Sequence, residues 1–135
     1  MKKLLLSLVL FVFTTMAYAQ TNTHQLSSHI LDISTGLPAP GVTVRLEKQN
    51  EKTKTWITVD SKVTDENGRI KDFLPYASAQ PGIYKLTFLV ADYFKKHKTE
   101  SFYPFIEVVF QIKDKNHYHV PITLSPYGYS TYRGN

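Results

Sequence analysis

His117-Tyr118-His119-Val120-Pro121-Ile122-Thr123-Leu124 is the stretch that decides the fold. Tyr118, Val120, Ile122 and Leu124 are apolar and stand two apart, the period at which strand residues share a face. They form the core face, so His117, His119, Pro121 and Thr123 point away from the core. Working outward, Ser125-Pro126-Tyr127-Gly128 is a turn into a last strand at Tyr129 to Arg133, where Ser130 and Tyr132 share one face and Tyr129 and Thr131 the other. Upstream, Ile106 to Ile112 is strongly β-prone, and Ala91 to Lys98 lacks Gly and Pro and sets Tyr93 or Phe94 near His97 at helical spacing, which predicts one short helix. Ile83 to Val90, after Pro81-Gly82, suits a buried strand. Ile70 to Phe73 is a short strand behind the tight turn Asp65-Glu66-Asn67-Gly68, which delivers Arg69 at its exit.

The N-terminal half reads the same way. Trp56 to Val59 and Val42 to Glu47 flank a charged hairpin tip at Lys48 to Lys54. The Gly- and Pro-punctuated loop Ser34 to Gly41 precedes them, and Leu26 to Ile33 is the first strand. There Ser28 and Ile30 share one face and His29 and Leu31 the other. Short strands divided by turn chemistry predict an all-β sandwich of two antiparallel sheets with one short helix.

A chain of 135 residues bounds the answer to one domain. Residues 1–19 are unlike the rest: Lys2 and Lys3, an apolar run from Leu4 to Phe13, then Ala17-Tyr18-Ala19 before Gln20. This is the pattern of a cleaved signal peptide, and its apolar run falls well short of the roughly 20 residues that span a bilayer. The expectation is an exported product of residues 20–135, periplasmic or secreted, with no membrane attachment after cleavage. The chain has no cysteine, which removes thiol catalysis, lipoprotein acylation, Cys-ligated zinc and disulfide bracing. The formal charge of +5 falls to +3 without Lys2 and Lys3, and no basic face interleaved with aromatics emerges, so nucleic-acid binding is not expected. A mildly basic surface still favours an anionic small molecule.

Two histidines on outward strand faces are not by themselves a site. Taken singly, an imidazole there is more often exposed or locally bonded, and His24, His97 and His117 stay in that class. Arg69 alone is an arginine after an Asn-Gly turn.

The run from His117 to Gly134 closely resembles the closing signature of the 5-hydroxyisourate hydrolases, the transthyretin-related enzymes of urate breakdown. Leu26-Ser27-Ser28-His29-Ile30-Leu31-Asp32 with Gly36-Leu37-Pro38-Ala39 resembles the family's first strand, and Thr64-Asp65-Glu66-Asn67-Gly68-Arg69 its arginine-bearing turn. Gly82-Ile83-Tyr84-Lys85-Leu86 and the Phe102 to Phe110 region also fit, so nearly all of the chain beyond the signal is covered.

The resemblance implies a transthyretin-like β-sandwich that hydrolyses 5-hydroxyisourate to 2-oxo-4-hydroxy-4-carboxy-5-ureidoimidazoline, a cyclic amide hydrolase of the EC 3.5.2 class. It implies catalytic roles for His29, Arg69, His119 and Tyr132, and substrate contacts from His29, Arg69, Ser130, Tyr132, Arg133, Gly134 and Asn135. Asn135 departs from the family's usual terminal serine, so its amide or the chain-terminal carboxylate would have to stand in for the hydroxyl. No cofactor and no metal are implied. The resemblance also implies a homotetramer, a dimer of dimers whose outward sheet faces enclose a channel holding the sites.

The chemistry matches these residue types. Water attacking a ring carbonyl needs a base, a proton source for the leaving nitrogen and positive charge near the developing oxyanion. Histidine, ordinarily titrating at about 6.5, serves as base or acid near neutrality, and arginine holds an anionic ring. His119 orients or deprotonates the water and His29 positions substrate or donates a proton, or the two roles are exchanged. Tyr132 adds a hydroxyl and a ring wall, and Gly134 lets the tail turn.

Three other readings compete. His117-x-His119 with His29 has the makings of a zinc hydrolase, although that spacing arises easily by chance. A transthyretin-like carrier would bind an aromatic ligand without turnover, but His29, Arg69 and His119 make its channel too charged. A cell-surface sandwich module is suggested by Pro38-Ala39-Pro40-Gly41-Val42-Thr43-Val44, and the C-terminal signature argues against it.

Overall fold

The computed structural model describes residues 23–134; the predicted signal peptide at 1–19 and the terminal Asn135 lie outside the described residues. Strand β1 (His24–Asp32) is the hub of one sheet. It pairs antiparallel with β2 (Leu37–Pro38) and β5 (Arg69–Pro75), and parallel with β8 (Tyr118–His119) and β9 (Ile122–Ser125). β10 (Gly128–Thr131) pairs antiparallel with β9. The second sheet has the order β4 (Trp56–Val63), β3 (Thr43–Gln49), β6 (Gly82–Leu89), β7 (Ile106–Ile112), all antiparallel. The sandwich is therefore antiparallel except along β1, whose partners β8 and β9 return in its own direction. The helix α1 (Ala91–Lys96) follows β6 and buries Tyr93 and Phe94.

The core is the alternation made physical. Leu26 and Ile30 from β1, Val44 and Leu46 from β3, Leu86 and Phe88 from β6, and Ile122 and Leu124 from β9 are fully enclosed between the sheets. Each such side chain contributes roughly 1.5–3 kcal/mol by leaving water, which offsets the entropy of ordering strands that carry no disulfide.

Three departures from the expected boundaries have local causes. The His117 to Leu124 stretch is two strands, because Pro121 has no N–H to give the ladder and interrupts it between His119 and Ile122. The helix stops at Lys96, two residues early, where His97 Nδ1 donates to the Tyr93 carbonyl and Lys98 takes a left-handed φ of 52°. β5 runs beyond Ile70 to Phe73 because its ladder with β1 continues to Arg69 opposite His29 and Pro75 opposite His24, and it contains a bulge: Leu26 faces Phe73 while Ser28 faces Ile70, one residue too many on the β5 side. That extra residue lets Ile70 and Phe73, three apart, both enter the core.

Candidate active site

The outward face of the β1 sheet is built from odd-numbered residues of β1. Ser27, His29 and Leu31 are partly covered, while their even-numbered neighbours are buried. Antiparallel pairing sets His29 directly opposite Arg69, and parallel pairing sets Ser27 beside His119. Thus three strands distant in sequence deliver His29, Arg69 and His119 to one patch. The β5 bulge belongs to this arrangement. Without it, an outward Arg69 in register with His29 would force Phe73 out of the core.

The turn before β5 aims the arginine. Asp65 Oδ1 accepts from the backbone N–H groups of Asn67 and Arg69, each at 2.9 Å, and Asp65 and Arg69 exchange a further backbone bond of 2.9 Å. Gly68 has φ +67°, and a Cβ there would come within 2.6 Å of the Ile30 carbonyl oxygen, so only glycine lets the turn press against β1. Ile30 N–H in turn donates to the Gly68 carbonyl at 2.9 Å.

Both imidazoles are held below the ordinary histidine value. For His29 burial is the larger cause and the Arg69 cation adds to it, with Asp65 opposing. For His119 burial again leads, followed by Arg69, His29 and His117. Each ring is thus neutral at pH 7 and has a nitrogen lone pair to offer, next to a permanent cation. That is the equipment for activating water beside an electrophile that becomes negative. Among the described residues, no three His, Cys, Asp or Glu side chains converge closely enough to hold a metal ion.

The tail reaches the patch in part. Gly134 bridges to His119 through a backbone bond of 2.9 Å, and a Cβ at Gly134 would collide with the His119 ring. Ser130 stands on the same outward face, its hydroxyl 2.6 Å from that of Thr123. Tyr132 and Arg133 are placed elsewhere. They line a cleft of about 440 Å³ with Val108, Phe110, Tyr118 and Val120, and the Arg133 guanidinium lies 5.0 Å from the centre of the Tyr118 ring. Asn135 lies outside the described residues. Within one chain, then, the patch unites His29, Arg69, His119 and Gly134, with Ser130 on the same face and Tyr132 and Arg133 turned to the cleft.

Ser27, which the sequence did not single out, and His117, which the sequence offers only as an ordinary outward imidazole or a zinc ligand beside His119, join the patch. Ser27 Oγ is 2.8 Å from His119 Nδ1 and 2.9 Å from His117 Nε2. Residue parity puts Ser27 with His29 and His117 with His119, but nothing in the sequence signals that β8 runs parallel to β1 and so brings the two pairs together.

The family model described as HIUase/Transthyretin matches residues 26–134, a span that contains His29, Arg69, His119 and Gly134 and every element except the first two residues of β1. A 5-hydroxyisourate hydrolase of Salmonella dublin is 50% identical over 111 residues, 82% of this chain and 80% of that one. Among solved structures, the 5-hydroxyisourate hydrolase of Klebsiella pneumoniae matches with a TM-score of 0.69 at 38% identity, covering 84% of this chain and 95% of its own. Transthyretin of Sparus aurata matches with a TM-score of 0.76 at 27% identity, covering 82% and 96%. The backbone therefore lies as near to a transthyretin as to a hydrolase, and the sequence separates the two. On the matched span, the sandwich topology and the likeness to relatives throughout that span, this chain belongs to the HIUase/Transthyretin family.

Proposed function

We propose that this chain is a 5-hydroxyisourate hydrolase of urate degradation, opening a cyclic amide by metal-free attack of water. The observation that carries this reading is the meeting of His29, Arg69 and His119 on one outward sheet face, with both rings tuned toward neutrality. The 50% identity to a 5-hydroxyisourate hydrolase over most of the chain supports the choice of substrate. Arg69 holds the anionic ring and faces the oxygen that becomes negative. One histidine takes the proton of the attacking water and, as the imidazolium so formed, passes it to the departing nitrogen, while the other, neutral ring positions the substrate. The carrier reading is not favoured, since a neutral aromatic ligand would leave the Arg69 charge without a partner.

The patch is open in a single chain, whereas water-excluded surroundings strengthen each of these interactions. We therefore place the working form in a tetramer whose outward faces meet, with export to the periplasm or beyond following from the Lys2-Lys3, Leu4 to Phe13 and Ala17-Tyr18-Ala19 pattern.

The test follows decay of freshly generated 5-hydroxyisourate by ultraviolet absorbance, for wild type, His119→Ala and Arg69→Ala, each with and without a strong chelator. Fast, chelator-resistant turnover that collapses in both variants supports the reading. No acceleration over spontaneous decay by folded protein sinks it, and loss of turnover on chelation sinks the metal-free mechanism.

A further inference from the structure

We infer that His117 and Ser27 are positioning residues that fix which nitrogen of His119 carries its proton, through the chain His24 carbonyl, His117, Ser27, His119. The inference rests on the hydrolase reading for its kinetic consequence, though its geometry stands without it. His117 Nδ1 lies 3.1 Å from the backbone carbonyl oxygen of His24. A carbonyl only accepts, so Nδ1 must carry a hydrogen, and a neutral His117 has its lone pair on Nε2. The Ser27 hydroxyl lies 2.9 Å from that nitrogen and owns a single proton, which it gives to His117. Ser27 Oγ can then only accept from His119 Nδ1, 2.8 Å away. His119 is left with hydrogen on Nδ1 and a lone pair on Nε2, the form in which a base can draw a proton from water. One backbone carbonyl thus sets the direction of three hydrogen bonds in series.

The support for the chain is itself rigid. Gln25, buried beside Leu26, donates from Nε2 to the carbonyls of Asp114 and Asn116 at 2.6 and 3.1 Å, tying the 113–117 loop to β1. Val120 N–H donates to the Ser27 carbonyl at 3.0 Å, locking the strand register that brings the hydroxyl between the two rings. The charged and titratable groups around His119 are Arg69 from β5, His29 from β1 and His117 from the segment before β8, with Asp65 beside His29 and the Ser27 backbone also bonded to the His119 ring.

Histidine-labelled protein gives long-range proton–nitrogen spectra that identify each ring's tautomer without substrate. In wild type at neutral pH, both His117 and His119 are expected to carry hydrogen on Nδ1. Ser27→Ala releases His119 toward the Nε2-protonated form favoured in water, and Ser27→Thr, which keeps the hydroxyl, preserves the wild-type spectrum. In turnover, Ser27→Ala and His117→Phe each lower kcat about tenfold or more with KM within about twofold, as for a misaligned base, and the double variant is no worse than the worse single one. Wild-type His119 protonated on Nε2, or unchanged by Ser27→Ala, overturns the inference, as do single-variant losses that multiply in the double. If wild type does not turn over 5-hydroxyisourate, the hydrolase reading falls while the spectra still decide the chain of tautomers.

Discussion

Among the described residues, Arg69 is the cation that acts on both His29 and His119, and its influence is measurable. Its positive charge helps to hold His29 and His119 below the ordinary value of 6.5, so turnover is expected to be level near neutrality and to fall as acid protonates the rings. Removing the cation lets both values rise. Arg69→Ala is therefore expected to move the acid limb of the kcat profile to higher pH, on top of a loss of about 10² to 10³ in rate from the missing oxyanion partner. A pH-rate series on the variant checks the sign, and an acid limb moving to lower pH would contradict it. Gly134 makes a second residue-scale case. Gly134→Ala drives a methyl group into the His119 ring, so either the tail lifts or the ring turns. The expected outcome is unchanged thermal stability with kcat reduced about tenfold or more, because about 1 Å of misplacement is enough to spoil a reacting geometry.

At the scale of elements, two buried polar links hold the pieces in place. Asp32, at the end of β1, accepts from the Tyr93 hydroxyl of α1 at 2.9 Å and from the backbone and hydroxyl of Ser34. Burial alone would raise the Asp32 value, but these hydrogen bonds outweigh it and hold the carboxyl below its ordinary 3.8. A depressed value contributes stability that is present above the unfolded carboxyl's pKa and is lost as pH falls through the folded one. Tyr93→Phe raises the folded value, so its acid unfolding midpoint is expected at higher pH than wild type. Denaturant titration at neutral pH should find a cost of about 1.5 kcal/mol, the worth of a hydrogen bond to a charged group.

The second link lies on the outer face of the other sheet. Lys85 Nζ is 3.2 Å from Glu47 and 2.8 Å from Glu107, with the Trp56 ring centre 4.7 Å away, and its side chain is nearly enclosed. Lys85→Ala leaves buried Glu47 with only the Arg45 cation and the Thr87 hydroxyl among the described residues, at a cost of roughly 3 kcal/mol. Because this face is the far side of the sandwich, kcat of the folded variant should match wild type. A large kcat effect without a stability effect would show that the face takes part in turnover.

At the scale of the whole molecule, the patch is a surface feature of a single chain, and the assembly proposed to enclose it has a direct consequence. Specific activity should fall on dilution in step with the tetramer fraction followed by sedimentation. Constant specific activity in a demonstrably monomeric sample would remove the shared channel from the mechanism.

The sequence by itself determined the sandwich class and the sidedness of its strands. Burial follows residue type, so Tyr118, Val120, Ile122 and Leu124 had to face inward and carry His119 outward. It determined the arginine turn too, since Asp65, Asn67 and Gly68 encode it locally. Only the tertiary structure decided which outward residues meet. The parallel pairing of β8 with β1 is a contact between residues some ninety positions apart, fixed by the collective packing of both sheets and not by any local pattern. The β5 bulge was likewise hidden, because an extra residue in a strand breaks the two-residue period that makes strands legible. For the same reason Ser27 looked like an ordinary surface polar group in the sequence and became a neighbour of His117 and His119 only in the fold. Periodicity is a property of one strand, whereas a site is a property of several.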